Sequence, residues 1–488
     1  TASAGFRSKD REPLSPAAAM SALRQSLGGR RQVGVLLHVT ALPSGGFGAG
    51  AQRWLQLLSR HRVGVWQVLP LAPPDGTGSP YSSPSGFALN PALLDQQDPL
   101  PPWTAQSTAD YRQWCKQQRH WLQDHARFMV LRARFEQQPW WQWPEPAARR
   151  SKAFLRQLDG EEATAIEAEK QQQWWLQQQW QRLRGAAADC GVQILGDLPF
   201  YGAHDSADVW SLPQLFSLRR DGSLEQQSGV PPDYFSATGQ LWSTPVYRWS
   251  RHRLNGYRWW LKRLERQLEL FDLLRIDHFR ALAGYWSVPG EDDTAQNGRW
   301  LPSPGLAILK RLQKRCGGRL PLIAEDLGVI TPDVEALRDG LQLPGMKVLQ
   351  FAFDGDPANA YLPHNFASGS WVAYTGTHDN ATAIGWWQQL SDQQRQQVQS
   401  VLGHPVAAPG WELLRLALAS TADLAVVPLQ DLMSLGDEAR FNTPGTASGN
   451  WSWQLQGDLD ALDGHLSGLQ QLAACYDRGS VAPQSGTE

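Results

Sequence analysis

Eight short apolar runs constrain this chain more than anything else in it. They are Val33–Val39, Gly64–Pro70, Val192–Leu198, Phe271–Asp277, Leu320–Glu325, Met346–Ala352, Trp371–Thr375 and Leu424–Leu429. Each is continuous rather than alternating, as expected of parallel strands covered on both faces. Helical periodicity fills several of the intervals, as in Tyr257–Leu270 and Ser303–Arg315. Eight strands with helical crossovers predict an α/β fold of the (β/α)8 TIM-barrel type.

The spacing of the runs is uneven. Large insertions are expected after strands 2 and 3. Residues of about 95–188 read as a helical subdomain, because Trp, Leu and Arg interrupt its Gln-rich segments (Tyr111–Gln137, Glu161–Arg184) at helical spacing. Residues of about 200–256 read as a second insertion. It carries a Gly/Pro-rich loop, residues 229–239, with Asp233, Tyr234 and Phe235 at its tip. Exposed aromatics are costly without a ligand, so the loop is more than a connector. The barrel with its insertions is expected over 31–478, flanked by a flexible arm at 1–30 and a flexible tail at 479–488.

Composition excludes some functions. Lys+Arg 45 against Asp+Glu 47 leaves no basic excess, so nucleic acid is not an expected partner. No apolar run is long enough to span a membrane, and residues 1–32 lack a signal-peptide apolar region. The four cysteines are scattered without a CxxC pair, which predicts a reduced, cytoplasmic chain with no structural zinc site. The 24 Trp outnumber the 15 Phe and the 10 Tyr. Trp suits the C–H faces of sugar rings, so the excess tilts towards a carbohydrate ligand.

In such a barrel the C-terminal strand ends hold the active site. Here they carry Asp197, Asp277, Glu325–Asp326, Asp379 and Asp431. One carboxylate alone is commonly a helix cap or an ion-pair partner. Several on one rim repel each other, which favours acid/base or nucleophilic chemistry. Strand alternation puts Arg275 on the same face as Asp277, where a guanidinium keeps a nucleophilic carboxylate ionised. Glu325 follows Leu322, Ile323 and Ala324. A less polar setting raises its pKa and suits a general acid. A glycosidic bond needs such a pair, and Asp379 would stabilise the positive charge that develops.

Several segments resemble the signature segments of the 4-alpha-glucanotransferases (amylomaltases, disproportionating enzymes) of glycoside hydrolase family 77. They include Arg275-Ile-Asp-His-Phe-Arg280, Ile323-Ala-Glu-Asp-Leu-Gly328 and Tyr374-Thr-Gly-Thr-His-Asp-Asn380. The likeness runs in the family's order over roughly residues 33–455, through Ser79-Pro-Tyr-Ser-Ser83, Pro231-Pro-Asp-Tyr-Phe-Ser236, Gly239-Gln-Leu-Trp242 and Asn450-Trp-Ser-Trp453. It implies a retaining transfer between α-1,4-glucans, with maltodextrins as partners and no metal or other cofactor. It implies Asp277 as nucleophile, Glu325 as acid and base, and Asp379 as transition-state stabiliser. It implies subsites lined by Tyr81, Asp197, Gln240, Trp242, Arg275, His278, Asp326, His378 and Asn442, with Asp233, Tyr234 and Phe235 on a loop over the cleft. The chain departs from the family pattern at Ser243-Thr244 (usually Gly-Asn), Phe441 (usually Met) and Gln454 (commonly Arg).

Other functions fit less well. An alpha-amylase-like hydrolase on the same barrel shares the first half-reaction, and the resemblance decides for transfer. Gly46-Phe-Gly48-Ala-Gly-Ala51 matches a dinucleotide fingerprint, but Thr40–Gly45 separate it from its strand. A glucan-binding protein without activity would need Trp but not three carboxylates.

Overall fold

The computed structural model describes residues 21–43, 45–98, 103–232, 236–366, 370–446 and 448–479. Its strands in chain order are β1 (Gln32–Leu36), β2 (Val65–Gln67), β3 (Gln193–Leu198), β4 (Gln226–Val230), β5 (Gln240–Pro245), β6 (Leu273–Ile276), β7 (Gly284–Pro289), β8 (Arg299–Pro302), β9 (Leu322–Ala324), β10 (Gly345–Val348), β11 (Trp371–Tyr374) and β12 (Leu424–Pro428). Eight of them form one parallel sheet in the order β10-β11-β12-β1-β2-β3-β6-β9. Six of these eight fall within one of the apolar runs, β1 and β10 begin one residue before theirs, and β1, β6, β11 and β12 are buried along their whole length. The two ends of the sheet meet where the Ala324 amide donates to Pro344 O at 2.8 Å. The sheet thus curls into a (β/α)8 barrel, and the C-terminal strand ends share one rim.

Between β2 and β3 the chain builds helices, among them Ala105–Gln117, Leu122–Arg134, Lys152–Glu161 and the 27-residue Ala163–Asp189. The long helix explains its own glutamines. Gln173 exchanges two 2.8 Å hydrogen bonds with the backbone of Leu89, and Gln179 likewise bonds the amide and carbonyl of Asp95. A primary amide presents the same donor and acceptor as a peptide group, so these buried side chains pair with the irregular segment 89–95 much as a strand would.

The tryptophans are mostly structural. Thirteen of the 24 are buried, many packed edge-on or tilted against each other, as with Trp114–Trp121 and Trp143–Trp210. Their abundance reflects aromatic packing in the helical layer far more than a sugar ligand.

A second sheet, β5-β4-β7-β8, is antiparallel and stands beside the rim. β4 and β5 come from the insertion after β3. β7 and β8 come from a further excursion after β6, which the sequence analysis did not single out. Their short, half-exposed strands lack the continuous burial that marks the barrel. Among the described residues no helix is long and apolar enough to cross a membrane.

The dinucleotide-like stretch is excluded as a phosphate site by its surroundings. A Cβ on Gly48 would lie 1.4 Å from an Asp95 carboxylate oxygen, so an anionic side chain already fills the space beside that helix N-terminus.

Gly196 in β3 is fixed by packing. A Cβ there would sit 2.2 Å from the buried ring of Phe271. Gly196→Ala is expected to cost about 1–3 kcal/mol of stability through overpacking. Activity should fall with it, because Asp197 moves. Chemical denaturation alongside an activity assay checks this; an unchanged midpoint contradicts it.

Candidate active site

The parallel register sets the centre of the site. It places Asp197 of β3 beside Arg275 of β6. Arg275 donates to Asp197 at 2.6 Å and lies 3.0 Å from Asp277, which follows β6. Asp197 and Arg275 are buried beneath the rim, whereas the Asp277 side chain is 29% exposed to the cleft. The Asp277 amide donates to Leu198 O, and the Glu325 amide donates to Ile276 O. Both carboxylates are thus held by backbone bonds across neighbouring strands.

Glu325 follows β9. Its two oxygens accept the amides of His278 (2.6 Å) and Leu327 (3.1 Å). His278 adopts φ +51°, in the left-handed region. Its ring then packs edge-on against Trp242 with centroids 4.8 Å apart, and among the described residues its Nε2 has no hydrogen-bond partner.

Asp379 completes the set on the opposite wall. Its Oδ1 accepts from Asn442 at 2.6 Å and lies 3.2 Å from His378 Nε2. Tyr81 stacks on His378, with centroids 5.1 Å apart, and donates to Asp197 at 2.8 Å. Burial keeps the Tyr81 hydroxyl protonated and His378 neutral.

These groups face an open cleft of about 860 Å³. Tyr81, Gln240, Trp242, Asp277, His278, Glu325, His378, Asp379 and Asn442 all line it. Asp197 and Arg275 support it from below. Asp326 does not face it: the carboxylate turns into the barrel wall, pairs with Arg338 and accepts the Met346 amide at 2.8 Å. Adjacent residues at a strand end point opposite ways, so Glu325 and Asp326 cannot both enter the cleft. Asp233, Tyr234 and Phe235 lie outside the described residues, although their neighbours Ser236, Gly239 and Gln240 line the cleft.

Three residues of the site escaped the sequence reading. Tyr201 and Trp451 line the cleft. Tyr201 follows the β3 end by three residues, and Trp451 belongs to Asn450–Trp453; position past a strand end was the available signal. Arg440 bonds the carbonyls of Asp379 (2.6 Å) and Asn442 (2.7 Å), and so clamps two cleft loops together. Nothing in its local sequence marks that role. Of the departures, Ser243 holds φ +53°, a conformation that favours glycine, and Thr244 joins its hydroxyl to Ser228 across β4 and β5. Phe441 packs edge-on against His38 and Trp451.

Burial raises both central carboxyls, Asp277 to about 7 and Glu325 to about 8. Arg275 opposes this in both and touches only Asp277. Direct contact with Arg275 favours the ionised form of Asp277, and Glu325, which lacks that contact, is the better seat for a proton. One carboxyl charged and one protonated is the division of labour that glycosidic cleavage requires. Among the described residues no three His, Cys, Asp or Glu side chains are gathered so as to hold a metal ion.

A parallel barrel with this carboxylate set at its C-terminal rim defines a carbohydrate-active enzyme of the α-glucan-processing type. The comparisons narrow the class. The family described as 4-alpha-glucanotransferase, glycoside hydrolase family 77, matches residues 37–100 and 102–460, and the chain belongs to it. It is 42% identical to a 4-alpha-glucanotransferase of Synechocystis over 91% of this chain and 98% of the relative. It is 40% identical to one of Thermus thermophilus over 92% and 99%. Among solved structures it resembles the amylomaltase of Streptococcus agalactiae in complex with acarbose, with TM-score 0.87 and 30% identity over 92% of this chain and 100% of that one.

The raised Glu325 carries a cost that depends on pH. Its usual value is 4.5, and burial lifts it to about 8 in the folded protein. Between those values the folded state keeps a proton that the unfolded state has released, so stability falls as pH rises through the window. Glu325→Gln abolishes this titration. The variant is expected to be more stable than the native chain at neutral pH, the gap widening by up to about 1.4 kcal/mol per pH unit and closing below about pH 4. Urea unfolding across pH measures it; a gap independent of pH contradicts it.

Proposed function

We propose that this chain transfers a segment of an α-1,4-glucan to the 4-hydroxyl of glucose or another maltodextrin by double displacement, with retention of configuration. The observation that carries the mechanism is that Asp277, in contact with Arg275, and Glu325, which has no such contact, line one cleft. Family membership supports transfer over hydrolysis.

In the first half-reaction an Asp277 oxygen attacks the anomeric carbon. The C1–O4 bond breaks as Glu325 gives its proton to the departing oxygen. The product is a glycosyl ester on Asp277 and a free glucan with a new 4-hydroxyl. Asp379, exposed to the cleft and held by Asn442, stabilises the oxocarbenium-like charge between these states. The unpartnered Nε2 of His278 is placed for a sugar hydroxyl.

In the second half-reaction Glu325, now ionised, takes the proton of the acceptor 4-hydroxyl. The acceptor oxygen attacks C1 and frees Asp277. Water would complete hydrolysis in the same way, so transfer depends on holding an acceptor against the ester. Trp242, Tyr201 and Trp451 supply aromatic faces for that purpose. Every proton and bonding electron pair is supplied by carboxyl groups and sugar, so the reaction is expected to survive exhaustive chelation.

Incubation with maltotriose tests this reading. Transfer gives glucose and a ladder of longer maltodextrins, whereas glucose and maltose alone would mean hydrolysis. Asp277→Asn is expected to lower transfer by several orders of magnitude with glucan binding largely intact. Glu325→Gln should also suppress transfer, yet release the leaving group of an activated donor that needs no proton. Failure of that rescue would remove Glu325 from the acid role.

A further inference from the structure

The opposite end of the barrel holds a second cavity, of about 530 Å³. It opens where the strands begin: Arg31 immediately precedes β1, and Arg62 stands shortly before β2. Arg24, Arg30, Arg31, Arg62 and Arg478 line it, and among the described residues Asp477 is its one acidic lining residue. In a chain of net charge -2 this is a strong local excess of one sign.

The arginines divide into two groups. Arg31 and Arg478 are fixed by carbonyls. Both donate to Ser420 O, at 2.8 and 2.9 Å, and Arg478 also reaches Leu418 O and Ala422 O at 2.7 Å. Carbonyls orient a guanidinium without cancelling its charge. Burial, and after it the charge of Arg31, push Arg478 down to about 9, while Asp423 opposes the shift. Arg24 spends its Nε on Asp423. Arg30 and Arg62 are exposed, and among the described residues their side chains have no hydrogen-bond or ion-pair partner.

We propose that this cavity binds a phosphate-bearing ligand of about the size of a sugar phosphate, at a site separate from the catalytic cleft. Guanidinium forks match phosphate oxygens two at a time, and a doubly charged head suits the excess of cations. The fixed Arg31 and Arg478 supply the field, and the free Arg30 and Arg62 supply donors. A bare phosphate ion would leave most of the volume to water, whereas small-ligand sites of about 300–1,000 Å³ take a sugar-sized body.

Calorimetric titration of the full chain at constant ionic strength tests this. The probes are glucose 6-phosphate, inorganic phosphate, citrate and glucose. Saturable binding of glucose 6-phosphate is expected, tighter than inorganic phosphate and far tighter than glucose, and unchanged in Asp277→Asn whose catalytic cleft is already saturated with maltotriose. Arg30→Ala/Arg62→Ala should weaken it at least about tenfold, while maltotriose transfer without phosphate stays at the native level. Inorganic phosphate binding as tightly as the ester would make the free ion the ligand of the same phosphate site. Heats equal to those of sodium chloride, tighter binding of citrate, or undiminished binding in the double variant would overturn the proposal.

Discussion

The guanidinium of Arg275 is the interaction on which the catalytic end of this molecule depends. It sits between Asp197, buried on the neighbouring strand, and Asp277 at the edge of the cleft. Without it two carboxylates would face each other in a dry strand layer. Removing one partner of a buried ionic group costs roughly 3–5 kcal/mol, because the remaining charge has no compensation. The arrangement therefore joins folding to chemistry. The same cation that allows β3 and β6 to place acids side by side also favours the ionised form of Asp277.

Glu325 stands outside that triad. It is as much a part of the rim as Asp277, but no guanidinium touches it. Burial then dominates, and the two backbone amides it accepts only moderate the effect. Burial raises both carboxyls, and Arg275, which opposes the rise in both, is in contact with Asp277 alone. The opposite wall is organised by hydrogen bonds instead. Arg440 ties the Asp379 and Asn442 loops through their carbonyls, and Asn442 in turn holds the Asp379 carboxylate.

The two ends of the barrel use arginine for different ends. At the rim Arg275 is neutralised by acids and tunes them. At the base Arg31 and Arg478 are held by carbonyls, which fix the side chains and leave their field intact. A parallel barrel separates these environments naturally, since its strand ends form two surfaces with no shared loops.

Much of this was legible in the sequence, because it depends on local pattern. Continuous apolar runs must be covered on both faces, so eight of them already imply the parallel barrel. Carboxylates just past those runs must reach its rim, so Asp277, Glu325 and Asp379 could be named from position. Tertiary structure decided the rest. Whether Asp326 enters the cleft depends on the pleat at one strand end, which turned it to Arg338. Whether a tryptophan meets sugar or another tryptophan depends on which helices pack, and most met each other. β7 and β8 lack continuous burial and show as strands only once β4 pairs with β7 and β7 with β8. Arg440, and the arginines gathered from residues 24 to 478, are distant in sequence and adjacent only in space. A pattern along the chain encodes which side of an element is buried; only the closed fold determines what is buried against it.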